Sequence, residues 1–238
     1  MKKKQPRLFS YILRIDDGAA PNPFWGLCTL TICKPKIRKI AELGDWIIGT
    51  GSKRVQQKDY TFKDYSNHLI YAMRVTCKKS LKDYDIYCKT KLKNKIPKYY
   101  NRTDYRLRMG DCIYDYSNGN SPILRPSVHK EKNIKTDLSG LYSLLSDHFY
   151  YFGDRPVLIP PELEDIIKRN QFHKKIENQE LIDEFIKILS SLFCKFPQRL
   201  YSQWFSWFLI KLQSSQVLIP LSLQGLPLPL LSYQLHTT

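Results

Sequence analysis

The sequence predicts an α+β fold, in which short strands are interspersed with peripheral helices and a helical segment follows near the C-terminus. Two observations predict it. Short apolar runs alternate with polar residues through the first half of the chain, as half-buried strands do. Residues 179–194 instead repeat Leu, Ile and Phe at spacings of three and four, the pattern of an amphipathic helix. With 238 residues and 42% hydrophobic side chains, the chain can bury a core and is too apolar for global disorder.

The first elements surround a loop rich in glycine and proline. Residues 8–15 (LFSYILRI) alternate and predict a strand, and residues 16–26 (DDGAAPNPFWG) predict an irregular loop. Residues 28–33 (CTLTIC) alternate again and predict a second strand. Pro35 suits the first turn of a short helix, and Gly44 supplies its left-handed stop.

Two more strands and a capped helix follow. Residues 45–49 and 69–76 predict strands on either side of a polar insertion at 52–67. Ser80, with Asp83 three residues later, predicts a capping box that begins a helix over 81–90. Short strands are also predicted at 111–114, 122–128 and 146–152, and the prolines at 160–161 before an acidic run predict the start of another helix.

These elements divide the chain into three predicted parts. Residues 1–177 form an α+β core, and residues 178–212 form a helical segment that packs on it. Residues 213–238 contain eight Leu, three Pro and no Asp, Glu, Lys or Arg. Because the prolines prevent a continuous helix, we expect an uncharged apolar tail that would suit contact with a protein partner.

The positive charge of the chain is concentrated in one region. The net charge is +16, of which residues 53–108 carry +11 and residues 1–52 carry +5. A concentrated basic surface attracts polyanions, and tyrosines interleave with the lysines of this region. The charge therefore predicts a nucleic acid or a nucleotide as partner. The alternative is a lysine-rich composition of the kind that an A/T-rich genome encodes without selection for binding.

The loop at 16–26 contains three candidate base-binding residues. Prolines flank Asn22, whose amide both donates and accepts hydrogen bonds and suits the edge of a base. Phe24 and Trp25 could stack on a base, or they could be core residues beneath the loop. Trp46 on the following strand has the same two interpretations. Lys34 and Arg38, at the start of the short helix, are candidate phosphate ligands, with a solvated basic face as the alternative.

Several blocks together resemble a known family. They are APNPFWGLCTLTICKPKIRKIAELGDWIIGTG (20–51), LIYAMRV (69–75), GDCIY (110–114), DLSG (137–140), HFYYFG (148–153) and QFH (171–173). Together they look like the second family of nucleotide modification associated domains, prokaryotic and phage proteins. The resemblance covers residues 8–200. It implies association with DNA base modification or defence, and DNA rather than RNA as the nucleic acid.

A second resemblance concerns shape. The sequence GDWIIG, a polar insertion and then LIYAMRV is similar to the barrels of the pseudouridine-synthase-and-archaeosine-transglycosylase (PUA) type and their EVE and YTH relatives. It implies a small mixed or antiparallel β-barrel that binds a flipped base in an aromatic pocket. His148 and Tyr150 would then join the base site, and His173 would meet a phosphate. For each histidine the alternative is a satisfied surface or core residue.

The leading hypothesis is a nucleic-acid-binding protein that recognises a flipped, modified base. The alternative is an enzyme acting on a nucleotide or nucleobase in a DNA hypermodification pathway, and its candidate groups are Asp16, Asp17, Cys33, Lys34, Asp45 and His148. The sequence contains no phosphate loop, deaminase signature or dinucleotide fingerprint, so the catalytic residues stay unassigned. Asp, His and Cys within hydrogen-bond reach of one another in a single pocket would favour the enzyme.

The remaining predictions concern cofactors and location. The six cysteines include no CxxC pair, so we expect neither disulfides nor a metal site, and no cofactor. The most apolar stretch, 204–221, contains Lys211 and Pro220, so no membrane span is expected. The basic N-terminus leads to no small-residue cleavage site. We therefore expect a cytoplasmic protein.

Overall fold

The computed structural model describes residues 5–56 and 61–195. Its strands form one central sheet and three smaller sheets. The strands are β1 (Leu8–Ile12), β2 (Cys28–Leu30), β3 (Trp46–Thr50), β4 (Val55–Gln56), β5 (Phe62–Lys63), β6 (His68–Arg74), β7 (Cys77–Ser80), β8 (Tyr114–Asp115), β9 (Ile123–Leu124), β10 (Tyr142–Ser146), β11 (His148–Tyr151), β12 (Val157–Leu158) and β13 (His173–Ile176). The helices are α1 (Pro35–Ile40), α2 (Leu81–Thr90), α3 (Tyr105–Arg108), α4 (Glu131–Leu138) and α5 (Gln179–Lys195), with 3-10 turns at Lys93–Lys95 and Pro161–Ile166.

The central sheet is mixed. Its strand order is β11-β6-β3-β1-β13, and β12 also pairs with β6. Strands β1 and β3 run parallel, and the other pairs are antiparallel. A second sheet has the order β2-β10-β7, and two hairpins, β4-β5 and β8-β9, complete the described strands.

Both faces of the central sheet are buried, because successive side chains of a strand point to opposite faces. One face presents Leu8, Trp46 and Ile48 to the apolar side of α5, where Ile182 and Phe185 pack. The other face packs against α1 and β2; its buried side chains are Phe9, Tyr11, Ile47, Tyr71 and Met73, against Ile37, Ala41, Cys28 and Leu30. The loop and helix that the sequence singles out at 16–40 therefore lie on the face opposite α5.

The α+β fold class is confirmed, whereas a closed PUA-like barrel is not found among the described residues. In the central sheet β11 and β12 both pair with β6, and β13 pairs with β1 at the other end of the strand order. A closed barrel requires its first and last strands to pair with each other. The edge strands β11 and β13 of this sheet do not pair with each other.

Local predictions differ in how well they match the structure. Helix α2 covers the predicted residues 81–90, and α5 extends the predicted helix by one residue. The strand predicted at 146–152 corresponds to β11, whereas β10 shares only Ser146 with it and belongs to a different sheet. Proline 161 begins a 3-10 turn in place of the predicted helix. The predicted tail 213–238 lies outside the described residues.

The N-terminus of α2 provides a modest test of stability. The Ser80 hydroxyl oxygen accepts a hydrogen bond from the backbone N–H of Asp83 at 3.0 Å. Removing such a cap costs about 1 kcal/mol, so Ser80→Ala is expected to lower the free energy of unfolding by about that amount in urea titrations. Ser80→Asp, which keeps an acceptor, is the matched control. Equal losses in the two variants would contradict a capping role.

Candidate active site

A sharp turn joins β2 to α1 at Cys33 and Lys34. Both residues have left-handed backbone angles, with φ of 57° at Cys33 and 40° at Lys34. Residues other than glycine rarely adopt this region, and such strain concentrates at functional sites. Pro35 begins α1 directly afterwards. A strained turn from strand to helix is also the arrangement that exposes the nucleophile of many hydrolases.

Cys33 forms a chain of contacts with a histidine and an aspartate. Its Sγ lies 3.4 Å from Nε2 of His129, and Nδ1 of His129 lies 2.5 Å from Oδ2 of Asp137. The other carboxylate oxygen of Asp137 accepts the backbone N–H of Cys33 at 2.9 Å. Nucleophile, base and orienting carboxylate therefore follow one another within contact distance, as in thiol enzymes.

Surrounding groups hold the aspartate and tune the histidine. Asp137 is buried, and Oη of Tyr114 donates to its Oδ2 at 3.0 Å. Burial favours neutral His129, but the hydrogen bonds to Asp137 and Cys33 outweigh it and raise the pKa of His129 to about 10. At neutral pH His129 is then an imidazolium, with Nδ1–H donated to Asp137 and Nε2–H left for the sulfur.

Arg38 supports the turn from within the core. Its guanidinium is fully buried and donates to the backbone carbonyl oxygens of Cys33 at 2.8 Å, Tyr142 at 2.9 Å and Asp137 at 2.5 Å. Burial lowers the pKa of Arg38 to about 10, so it stays charged at neutral pH. Arg38 thus ties the nucleophile turn to the end of α4.

Cys33 and Lys34 also line a cavity of about 1060 Å³. Its other walls are residues 12–15, from the last residue of β1 onward, Ala20, and residues 168–172 before β13. The volume is at the upper end of the range for small-molecule pockets. Cys33 is half-buried, in contact with His129 and at the same time part of the cavity wall.

The described lining of this cavity carries positive charge. It includes Arg14, Lys34, Lys168 and Arg169, and no carboxylate. Burial and the neighbouring Arg14 lower the pKa of Lys34, whose Nζ lies 4.3 Å from the centre of the Tyr11 ring. A cleft lined by charges of one sign attracts ions of the opposite sign, so this cavity favours an anion.

Comparison with known families agrees with the resemblance carried by the sequence blocks. A family model described as nucleotide modification associated domain 2 matches residues 5–207. The chain belongs to this family. Membership associates it with nucleotide modification and confirms the resemblance predicted from the sequence. No match was found among curated proteins or among solved structures.

In this member of the nucleotide modification associated domain 2 family, the predicted base-binding loop directs Asn22 and Phe24 into the protein core. Asn22 is fully buried; its amide nitrogen donates to Met109 O, and its amide oxygen accepts from Lys95 and from the backbone of Phe24. Phe24 is buried and meets the Tyr105 ring edge-on. Trp25 is half-buried, with the guanidinium of Arg106 4.9 Å from its ring centre. In this structure the Asn22 amide and the Phe24 ring are engaged with core partners, and a role for them in base binding stays a prediction.

Three other predicted base-binding residues do meet, on the face that α5 covers. The Trp46 ring is buried and lies 5.2 Å from His148 and 6.5 Å from Tyr150 between ring centres. Trp46 also contacts Phe185 of α5, and so packs as a core residue. The loop containing Asn22 packs with β2 on the opposite face of the sheet. The six predicted residues are therefore divided between two faces.

The predicted phosphate ligands also separate. Lys34 lines the cationic cavity. Burial and the nearby charges of Lys36, Lys168 and Lys34 lower the pKa of His173 on β13. These two lie in one positive region. Arg38, in contrast, is buried with backbone partners, so a phosphate cannot reach it in this conformation. Arg38 can be buried because carbonyl groups distant in sequence accept its hydrogen bonds. No local sequence pattern reveals these partners.

The remaining candidates for chemistry have structural partners. The buried carboxylate of Asp45 pairs with Arg7 at 2.6 Å, and Asp16 accepts the Tyr151 hydroxyl at 2.8 Å. Asp17 caps the backbone of Ala19. Sequence reasoning identified Cys33 but missed His129 and Asp137, although Asp137 opens the DLSG block. Among residues 5–56 and 61–195, no group of three or more His, Cys, Asp and Glu side chains is arranged for a metal ion, and no helix is long and apolar enough to cross a membrane.

Proposed function

We propose that the chain is a thiol-dependent enzyme that acts on a nucleotide or nucleobase, with Cys33 as nucleophile. The observation that carries this proposal is the contact series from Cys33 through His129 to Asp137 at the wall of a cationic cavity. Cys33 lines the cavity, and His129 and Asp137 follow behind it in hydrogen-bond reach of one another. A Cys, a His and an Asp in such mutual reach favour the enzyme over a base reader. Family membership supports the nucleotide as substrate class.

The proposed chemistry is nucleophilic catalysis. The Cys33 thiolate forms a bond to an electrophilic carbon of the substrate, and the imidazolium of His129 gives its Nε2 proton to the atom that takes up the electron pair. Neutral His129 can then accept a proton from the group that releases the substrate from sulfur. Asp137 keeps Nδ1 protonated and so fixes the orientation of the ring throughout.

The cavity supports an anionic substrate. Arg14, Lys34 and Lys168 line the cavity and form no ion pair within the described part of the chain, so no carboxylate there neutralises their charges. Phe172, 73% exposed, lies at the same cavity beneath Lys36, whose Nζ is 5.1 Å from its ring centre. An aromatic ring among cations suits a nucleotide, which combines a flat base with a phosphate.

Recognition of a flipped, modified base is the other function that the sequence predicts. It would use an aromatic pocket, and the predicted residues lie on two faces of the sheet, with Asn22, Phe24 and Trp46 buried. No observation tests base recognition directly, so it stays a prediction. We place chemistry ahead of it because the thiol site is assembled in one place.

Cysteine alkylation tests the proposal with an internal control. Cys33 and Cys77 are both half-buried, but Cys33 alone of the two contacts a histidine in the described structure. At neutral pH, iodoacetamide is expected to modify Cys33 about tenfold faster than Cys77, and His129→Ala should remove most of that advantage without changing Cys77. Peptide mapping by mass spectrometry measures both rates in one sample.

Protection by ligand gives the second half of the test. A mixture of nucleoside monophosphates is expected to slow the modification of Cys33 and to leave Cys77 unchanged, because only Cys33 lines the cationic cavity. Lys34→Ala should weaken the protection. Equal reactivity of the two cysteines, unaffected by His129→Ala, would contradict a nucleophilic role for Cys33.

A further inference from the structure

Residues 98–108, here called the tyrosine loop, form a small folded unit on the surface. The backbone N–H of Lys98 donates to Leu107 O at 2.8 Å, which closes the loop. The side-chain oxygen of Asn101 accepts the backbone N–H groups of Thr103 and Asp104. Helix α3 begins at Tyr105 behind an Asp104 cap. The backbone of the loop is therefore held by its own hydrogen bonds.

Two tyrosines of this loop present their rings to solvent. Tyr100 is 80% exposed and Tyr105 is 56% exposed. Tyr100 meets Tyr99 edge-on with ring centres 5.4 Å apart, and Tyr105 meets buried Phe24 edge-on at 5.7 Å. Each ring thus contacts one aromatic neighbour while much of its surface stays free for a stacked base.

The tyrosine loop also contains cations that have no ion pair in the described structure. Lys98, Arg102 and Arg108 are exposed and form no ion pair with any residue of the described ranges. The one carboxylate in the loop, Asp104, is paired with Arg106 at 2.8 Å. Lys130 is exposed as well, with Nζ 4.9 Å from the Tyr99 ring centre, and Glu131 is the carboxylate next to it. The surface combines exposed aromatic rings with an excess of positive charge.

Lys130 connects this surface to the thiol site. It directly follows His129, which contacts Cys33, while its side chain reaches Tyr99 of the tyrosine loop. A chain bound along the loop would consequently run past the residue that adjoins the catalytic histidine.

We infer that the tyrosine loop and Lys130 bind a single-stranded polynucleotide, with bases stacked on Tyr100 and Tyr105 and phosphates beside Lys98, Arg102, Arg108 and Lys130. Single strands are favoured over duplex because a base can stack on a tyrosine only when its own neighbour does not cover it. The surface recognises stacking and charge, which DNA and RNA share. If the proposed function holds, the substrate of Cys33 is a nucleotide within such a strand; this last step alone rests on that function.

Fluorescence anisotropy of the full chain with labelled oligonucleotides tests the inference. Tyr100→Ala is expected to weaken binding of a single strand of about 12 nucleotides roughly tenfold, because one stacked base is lost. Tyr100→Phe keeps the ring and should bind as the unmodified chain does. Arg102→Ala should reduce the slope of log affinity against log salt by about 0.7. Lys187→Ala, which removes an exposed cation on α5, should leave that slope unchanged.

Three oligonucleotides of equal length distinguish the ligands. Single-stranded DNA and single-stranded RNA should both bind more tightly than a DNA duplex, and the tighter of the two identifies the strand chemistry. Unchanged affinity in Tyr100→Ala, or duplex bound as tightly as single strands, would overturn the inference. Cys33→Ala should not alter binding, and Tyr100→Ala should not alter iodoacetamide modification of Cys33. Failure of the binding surface is therefore separable from failure of the thiol site.

Discussion

The free energy of unfolding is expected to fall as pH rises from 6.5 to 10, and to fall by up to about 5 kcal/mol more in the unmodified chain than in a His129→Gln variant. Burial opposes protonation of His129, but the hydrogen bonds to Asp137 and Cys33 raise its pKa to about 10 from an ordinary 6.5. A raised pKa means that the folded state binds the proton more tightly. The resulting stability is complete below pH 6.5 and is lost as pH passes through 10.

A second group acts in the opposite sense and must be separated from His129. Burial lowers the pKa of Lys95 to about 8 from 10.5, so between these values the unfolded state holds more protons and stability rises with pH. This contribution is the same in the two chains and cancels in their difference. Urea titrations at several pH values, followed by circular dichroism, measure both slopes.

The matched control is His173→Gln. Burial and nearby lysines lower the pKa of His173, so its removal should leave the slope between pH 6.5 and 10 as in the unmodified chain. Cys33→Ala should reduce that slope, because it removes one of the two partners that hold the proton on His129. Identical slopes in the unmodified chain and His129→Gln would contradict an imidazolium at the thiol site.

Arg38→Met is expected to lower the free energy of unfolding by about 3–5 kcal/mol, because the substitution removes a buried charged group from its hydrogen-bond partners. The guanidinium donates to three backbone carbonyl groups, at Cys33, Tyr142 and Asp137, and methionine removes this donor from all three. The Asp137 oxygen keeps the backbone N–H of Gly140. The packing around the Arg38 guanidinium leaves no room for an added atom. A Cβ placed on Gly140 would lie 2.4 Å from the Arg38 guanidinium carbon.

The same variant should also slow the alkylation of Cys33, because Arg38 connects the strained turn at Cys33 to the segment that contains Asp137. Arg38→Lys should restore little, since an ammonium cannot reproduce the planar fork that meets three carbonyl groups. Lys39→Met changes the exposed neighbour and should alter neither stability nor alkylation by a measurable amount. A loss below about 1 kcal/mol in Arg38→Met would show that the carbonyl groups find other donors.

Elements that depend on neighbouring residues could be predicted from the sequence. Helix α2 is specified by the cap at Ser80 and the residues that follow it, and α5 by an apolar repeat within its own length. Strand β11 lies within the strand predicted at 146–152. Strand β10 was not predicted, because it forms by pairing with β2 and β7, which are distant in sequence.

Two of the polar candidate site residues, Asn22 and Arg38, are buried in the structure. Asn22 and Arg38 lie in loop and basic contexts that suggest exposure, yet both are fully buried. Their partners, Lys95 for Asn22 and Tyr142 and Asp137 for Arg38, are 73 to 104 residues away in sequence. A buried polar group is stable only when such partners exist, and a single sequence does not state which distant groups will meet.

The sequence by itself determined the α+β class, the family, the concentration of positive charge and Cys33 as one candidate nucleophile. These depend on composition, on local periodicity and on contiguous motifs. Only the tertiary structure decided that the central sheet is open and that Cys33 meets His129 and Asp137, which are 96 and 104 residues further along the chain. The physical reason is that pairing across such separations is fixed by the packing of the whole core, where every strand and helix contributes, and local propensity carries no record of it.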